Sequence, residues 1–190
     1  MANPEHLEII QKGVKVWNKW YKKYSNLFLD MEYNFRYSTP HAQDKGTLLR
    51  SNYSLNRSLG KFADLSGADL SETNLEGIDL TGANLSGANL SHSSLKGAKL
   101  IGADLSKCRL FLADFTNSNL TGANLVSADL VTATFQKSNL SMADLSRADL
   151  YFVDFSEANL IDAQFVECDF TGTNITSANL TNANLSRTHF

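Results

Sequence analysis

Every fifth residue from Leu65 to Phe190 is Leu, Phe or Ile, without exception over 26 positions. A strict short period over two thirds of a chain sets its architecture before any other feature, because each unit must bury the same face as its neighbours. With the central residue written i, the i−2 column carries 16 Ala, and the other positions are nearly all small, among them Cys108 and Cys168. The i−1 column holds 10 Asp and 10 Asn, with Ser94, Lys99, Arg109, Thr134, Gln164 and His189 as departures. All eight glycines of residues 61–190 stand at i+2.

Apolar i−2 and i around a polar i−1 have the two-residue period of an extended strand. The next two positions are rich in Ser, Thr and Gly, which favour turns. A helix is excluded, since a five-residue advance turns about 140° around its axis and would scatter the apolar side chains. Short strand and turn, repeated, predict a coil wound on itself and paired along its axis by backbone hydrogen bonds. Pro is absent from 61–190, as ladders that use most N–H groups require. The aromatic residues indicate the length of one coil. Phe115, Phe135 and Phe155 are 20 residues apart, as are Phe170 and Phe190. A 20-residue, four-sided coil stacks those rings in two columns at about 4.8 Å per coil, within ring-stacking range. Phe165, between Leu145 and Leu185 at that interval, stands outside both columns.

The recurring Ala-(Asp/Asn)-Leu run, as in Ala68-Asp69-Leu70 and Ala88-Asn89-Leu90, resembles the pentapeptide-repeat family over residues 61–190. The resemblance implies an all-β solenoid, a right-handed quadrilateral parallel β-helix with four repeats per coil. On that plan 26 repeats make about 6.5 coils, a rod about 31 Å long at the spacing of paired strands. Residues Asn3-Pro4-Glu5-His6-Leu7 through Trp17-Asn18-Lys19-Trp20 resemble the leader of many cyanobacterial members.

Three parts follow: an N-terminal leader over 1–24 with a helix over 4–24, a connecting segment over 25–60 and the repeat rod over 61–190. Asn3 and Pro4 suit the start of the helix. Leu7, Ile10, Val14, Trp17 and Tyr21 form its apolar stripe, widened by Ile9, Val16 and Trp20. Solenoids need covered ends, so this α-helical element is expected to cap the first coil. The alternative is a membrane-surface or partner helix, given Lys12, Lys15, Lys19, Lys22 and Lys23. Residues 25–60 combine an aromatic stretch with Pro40, Asp44 and Gly46 and read as irregular or partly mobile.

The formal charge of −3 conceals a division. Residues 1–60 hold nine Lys/Arg and five Asp/Glu, whereas 61–190 hold eight and fifteen, so a basic leader precedes an acidic rod. No signal peptide or transmembrane-length apolar run stands out, which predicts a cytoplasmic protein. Cys108 and Cys168 fall in one column three coils, about 14 Å, apart, so two buried free thiols are expected rather than a disulfide.

No catalytic constellation is visible, and no cofactor or metal is expected. The four histidines lack ligand spacing, and the carboxylates at i−1 follow the repeat, where Asp and Asn support turns. The candidate function lies in the interruptions. At the polar turn positions Phe111, Leu112, Val131, Tyr151 and Phe152 share one side of a four-sided coil, beside Arg109, Asp129 and Asp149 at i−1, with Asp169 continuing the acidic ladder. Exposed, these side chains would form a partner surface; alternatively they pack against one another and against residues 25–50. Second, the pattern runs to Phe190 without a cap. Ile175, Leu180, Leu185 and Phe190 would therefore present an open end suited to homodimerisation. The resemblance adds that dimeric family members protecting gyrase join through their C-terminal ends. The leading expectation is a non-enzymatic protein-binding or scaffold rod, with no direct nucleic-acid binding. The alternative is a DNA mimic acting on a gyrase-type topoisomerase.

Overall fold

The computed structural model describes residues 1–25, Tyr53, Arg57 and 62–190. Residues 62–190 wind as a parallel β-solenoid. Each i−1 residue bridges the residue 20 positions on, from Asp64↔Asn84 to Asp169↔His189, and every bridge is parallel. The coil is therefore four repeats long. Its ladder follows a fixed rule: Leu65 N–H donates to Asn84 O (2.7 Å) and Asn84 N–H donates back to Ala63 O (2.8 Å).

The corners are tight turns. Ala68 N–H donates to Leu65 O at 3.0 Å, and the i+2 residue takes positive φ, as in a type II turn. That position is Gly67 in this turn, but it is a side-chain-bearing residue at Leu112 and Phe152, both at φ 56°. The i−1 carboxylates and amides brace each corner: Ser66 N–H donates to Asp64 Oδ1 at 3.1 Å and Ser86 N–H to Asn84 Oδ1 at 3.2 Å. The regular Asp and Asn are thereby assigned to structure.

Leu, Phe and Ile at i and the small residues at i−2 fill the interior, and from Leu75 to Phe165 the i side chains are almost wholly inaccessible. The phenylalanine columns form as their spacing predicts. Phe115 stacks on Phe135 (centroids 4.7 Å apart, planes 3° apart), Phe135 on Phe155 (5.3 Å, 21°) and Phe170 on Phe190 (5.0 Å, 21°). Phe165, the exception, meets Phe155 edge-on at 6.0 Å. Both cysteines are buried free thiols. Burial pushes Cys108 up to about 12 and Cys168 up to about 11, so neither is a nucleophile at neutral pH.

The leader departs from a single helix over 4–24. It forms α1, Pro4–Gln11, and α2, Val14–Ser25. Gly13, at φ 95°, turns the chain between them in a conformation few other residues adopt. Asn3 caps α1, accepting from Glu5 N–H at 2.9 Å. Ile10, Trp17 and Tyr21 are buried as the stripe predicts, but Val16, at its margin, faces outward, 44% exposed.

Polar groups of the leader pair with backbone groups of the first coil. Asn3 N–H donates to Asp64 O (2.9 Å), and Asp64 N–H donates to His6 Nδ1 (2.9 Å). On another side Trp17 Nε1 donates to Asp79 O (2.7 Å), Asp79 N–H donates to Asn18 Oδ1 (2.8 Å) and Tyr21 Oη–H donates to Thr81 O. Backbone groups at the sheet edge that water would otherwise serve are thus paired.

The expected connecting segment 25–60 lies outside the described residues except at its first residue and at Tyr53 and Arg57. Those two side chains lie against one corner of the rod. Gly82, Gly102 and Gly122 succeed one another there at intervals of 20, all buried. A Cβ on Gly82 would lie 2.6 Å from the Phe62 ring, and the Tyr53 ring fills the same space beside Gly102. Arg57 Nη1 donates to Gly102 O (2.6 Å) and Nη2 lies 3.8 Å from Asp104. Burial lowers the Arg57 pKa, with Asp104 and Tyr53 opposing that effect.

Candidate functional site

The candidate partner surface is built from one corner repeated on successive coils. Arg109↔Asp129, Asp129↔Asp149 and Asp149↔Asp169 are bridged neighbours, so these side chains form one column along the rod axis. Two residues after each stands the start of a turn: Phe111, Val131, Tyr151 and Thr171. The turns are in register, with Leu112 N–H donating to Val131 O (3.2 Å) and Thr132 N–H to Tyr151 O (2.9 Å).

At these corners the apolar side chains face outward. Phe111 is 37% exposed, Leu112 46%, Tyr151 49% and Phe152 54%, while Val131 between them is half-buried. Apart from Met1, Val16 and Phe190, these four are the exposed large apolar side chains among the described residues. They are ordered by mutual contact. Tyr151 and Phe152 meet edge-to-face at 4.4 Å, and Phe111 meets His92 at 5.3 Å. Phe152 lies along the axis over Gly172, where a Cβ would approach its ring to 2.9 Å. The surface therefore extends from the His92 corner to the Gly172 corner.

An acidic column adjoins it. Asp129, Asp149 and Asp169 each spend one carboxylate oxygen on the turn, accepting from Val131 N–H (3.2 Å), Tyr151 N–H (3.1 Å) and Thr171 N–H (2.9 Å). Among the described residues no cation lies within ion-pair distance of these three carboxylates, although Lys96–Asp114 and Arg147–Glu167–Arg187 pair on other corners. Hydrogen bonds from Thr171, side chain first and backbone next, hold Asp169 below the usual carboxylate range, with His189 adding to the effect.

At the other candidate site, the last coil, Ile175, Leu180 and Leu185 are half-buried and Phe190 is 75% exposed. Among the described residues the N–H groups of Ile175, Leu180 and Leu185 have no backbone acceptor, whereas their counterparts Phe155, Leu160 and Phe165 donate to the following coil. Among the described residues no group of His, Cys, Asp and Glu is placed to hold a metal ion. None of the described helices is long and apolar enough to cross a membrane.

A family model for pentapeptide repeats, in eight copies, matches residues 63–100, 74–110, 113–151 and 154–190. The chain belongs to the pentapeptide-repeat family. Its solenoid is the right-handed quadrilateral β-helix of that family. Among solved structures it is similar to HetL, a pentapeptide-repeat protein involved in heterocyst differentiation regulation in the cyanobacterium Nostoc sp. strain PCC 7120. That likeness has 31% identity over 64% of this chain and 72% of HetL, with a TM-score of 0.30. Rfr23, a pentapeptide-repeat protein from the cyanobacterium Cyanothece 51142, is 20% identical over 74% of this chain and 98% of its own, with a TM-score of 0.47. A trypsin-treated variant of QnrB1, a plasmid-mediated fluoroquinolone resistance protein, is 25% identical over 64% of each chain, with a TM-score of 0.41. No curated protein matches the chain significantly.

The five-residue period accounts for the pentapeptide-repeat core and not for the exposed corner. Sequence reasoning missed Tyr53 and Arg57 as partners of the rod. The available signal was the glycine at three successive positions of one corner, 82, 102 and 122.

Proposed function

We propose that this pentapeptide-repeat chain is a non-enzymatic binding or scaffold protein. Its contact surface for a protein partner is the corner carrying Phe111, Leu112, Val131, Tyr151 and Phe152, with Arg109, Asp129 and Asp149 beside it. One observation carries the reading. Among the turn positions of the rod, the exposed large apolar side chains are Phe111, Leu112, Tyr151 and Phe152, all on this corner, whereas most other turns carry polar residues or Gly. Folding does not favour them there, because Leu112 and Phe152 at φ 56° each bear a left-handed penalty of about 1 kcal/mol. Contiguous exposed apolar surface on a rigid scaffold suits macromolecular contact. The test is capture of partners from an extract of the source cells by the wild type and by Tyr151→Ser/Phe152→Ser. Partner loss with unchanged melting supports the contact surface. Equal capture by both proteins rejects it.

The remaining assignments are parts of the same proposal. The leader caps a rod of about 6.5 coils, 26 repeats at four per coil, and deleting residues 1–24 should expose the first coil to hydrogen exchange. The last coil, through Ile175, Leu180, Leu185 and Phe190, pairs with a second copy. Sedimentation as a dimer that Leu180→Glu converts to monomer supports this, and a monomeric wild type refutes it.

The acidic run Asp129, Asp149 and Asp169, which among the described residues has no cation within ion-pair distance, favours a second reading, a DNA mimic acting on a gyrase-type topoisomerase. A supercoiling assay at low salt decides, and absence of any effect eliminates it.

A further inference from the structure

The corner surface has features that restrict what can lie on it. Its apolar side chains occur on three successive coils, at 111/112, 131 and 151/152. Paired strands are about 4.8 Å apart, so the outer two sets are separated by about 10 Å along the axis. An α-helix laid along the rod presents residues i, i+3 or i+4, and i+7 over about 10.5 Å, matching all three sets. An extended strand presents same-face side chains about every 6.8 Å and is out of step by about 4 Å after two intervals. Strand addition also needs a free backbone edge. Here two corner N–H groups are already used between coils, Leu112 to Val131 and Thr132 to Tyr151.

Charge restricts the occupant further. Alongside the apolar set, Asp129, Asp149 and Asp169 follow the same axial spacing, and among the described residues no cation pairs with them. In each, Oδ1 is tied to its turn, while Oδ2 accepts no hydrogen bond among the described residues. A partner lying on the apolar corner therefore sets its flank against a ladder of available carboxylate oxygens. The leader of a second copy is a poor occupant despite its lysines, because its Trp17 and Tyr21 are already buried on its own rod.

We propose that the corner receives a basic amphipathic α-helix of a partner protein, lying along the rod axis. Its apolar stripe sits on Phe111, Leu112, Val131, Tyr151 and Phe152, and its lysines or arginines meet Asp129, Asp149 and Asp169. The inference rests on the contact-surface reading above and deepens it.

The test titrates the full chain into a labelled helical peptide with a leucine face flanked by lysine. Its controls are the same peptide with glutamate for lysine and phosphatidylcholine vesicles. The expected result is binding of the lysine peptide that weakens with salt. Asp129→Asn/Asp149→Asn/Asp169→Asn should weaken it about tenfold, as three exposed charge pairs would. These substitutions preserve the fold, because Asn occupies the same position in ten repeats and braces the turn equally, as at Asn84. Tyr151→Ser/Phe152→Ser should abolish binding. Equal affinity for the glutamate peptide, indifference to the aspartate substitutions, or preference for vesicles would each overturn the inference. If partner capture still depends on Tyr151 and Phe152 in that case, the contact surface stands and only the basic helix falls. If the Tyr151/Phe152 variant changes neither capture nor peptide binding, both fall.

Discussion

Phe135→Leu tests the stacked column directly. Phe135 is fully buried between Phe115 at 4.7 Å and Phe155 at 5.3 Å, both near-parallel. Leucine is the residue most repeats place at i, so the backbone accepts it, but it leaves a small void worth about 1 kcal/mol. Two ring contacts are lost as well, each worth about 0.5–1.5 kcal/mol. The total is about 2–4 kcal/mol. Phe115→Leu leaves a similar void but loses only its stack on Phe135, since Leu95 lies on its other side. Phe135→Leu should therefore cost about one stack more, 0.5–1.5 kcal/mol. The double variant should cost less than the sum of the two singles, because both remove the same Phe115–Phe135 contact. Urea unfolding followed by far-ultraviolet circular dichroism reads all four proteins. Equal costs for the two singles, with strict additivity, would refute the assignment of stabilising energy to the column.

Gly102→Ala should destabilise more than Gly97→Ala, measured by thermal melting. Both carry the left-handed penalty of about 1 kcal/mol at φ 60° and 63°, but only Gly102 also meets the Tyr53 ring, whereas nothing lies within 4 Å at Gly97. Adding Tyr53→Ala should remove that excess, and persistence of the excess would exclude the contact as its cause. A third expectation concerns pH. Hydrogen bonds from Ser71 lower the Asp69 pKa, and hydrogen bonds from Arg147 and then Arg187 lower that of Glu167. At Asp154 burial acts upward, but hydrogen bonds from Ser156, Gln136 and Asn174 together outweigh it. Lowered folded-state values favour folding above the unfolded values, near 4, and that stabilisation is lost as pH falls through the folded ones. Tm should therefore hold steady down to about pH 5 and fall below about pH 4. A Tm that rises on acidification contradicts these shifts.

The solenoid was legible because its causes are local and periodic. Leu, Phe or Ile at i recurs 26 times, Ala at i−2 16 times and Asp or Asn at i−1 20 times, each meeting the same local demand. The 20-residue spacing of phenylalanines fixed the number of sides, and with it the column that unites Phe111, Val131 and Tyr151. What resisted reading was non-local. Gly13 sits in an otherwise helical pattern that tolerates one glycine, and only packing on the first coil shows that the helix breaks there. His6 and Asn18 supply hydrogen bonds to backbone groups of the first coil, a role no periodicity announces. Which residues share the candidate corner followed from counting, but its exposure did not, because residues distant in sequence could have covered that corner. Tyr53 and Arg57 instead lie against the corner of Gly82 and Gly102.

The central claim is that the repeat builds the rod and its apolar interruptions carry the contact. The most direct measurement replaces those interruptions with residues the repeat itself uses: Phe111→Ser, Leu112→Asn, Val131→Ser, Tyr151→Ser and Phe152→Asn together. Asn at i+2 is native to this rod, at Asn117 and Asn182 with φ 60° and 58°. Thermal melting and partner capture are then read on the same protein. The account predicts a melting temperature equal to or above that of the wild type, since two left-handed penalties are relieved, together with loss of the partner. A marked fall in melting temperature, or undiminished capture, would contradict it.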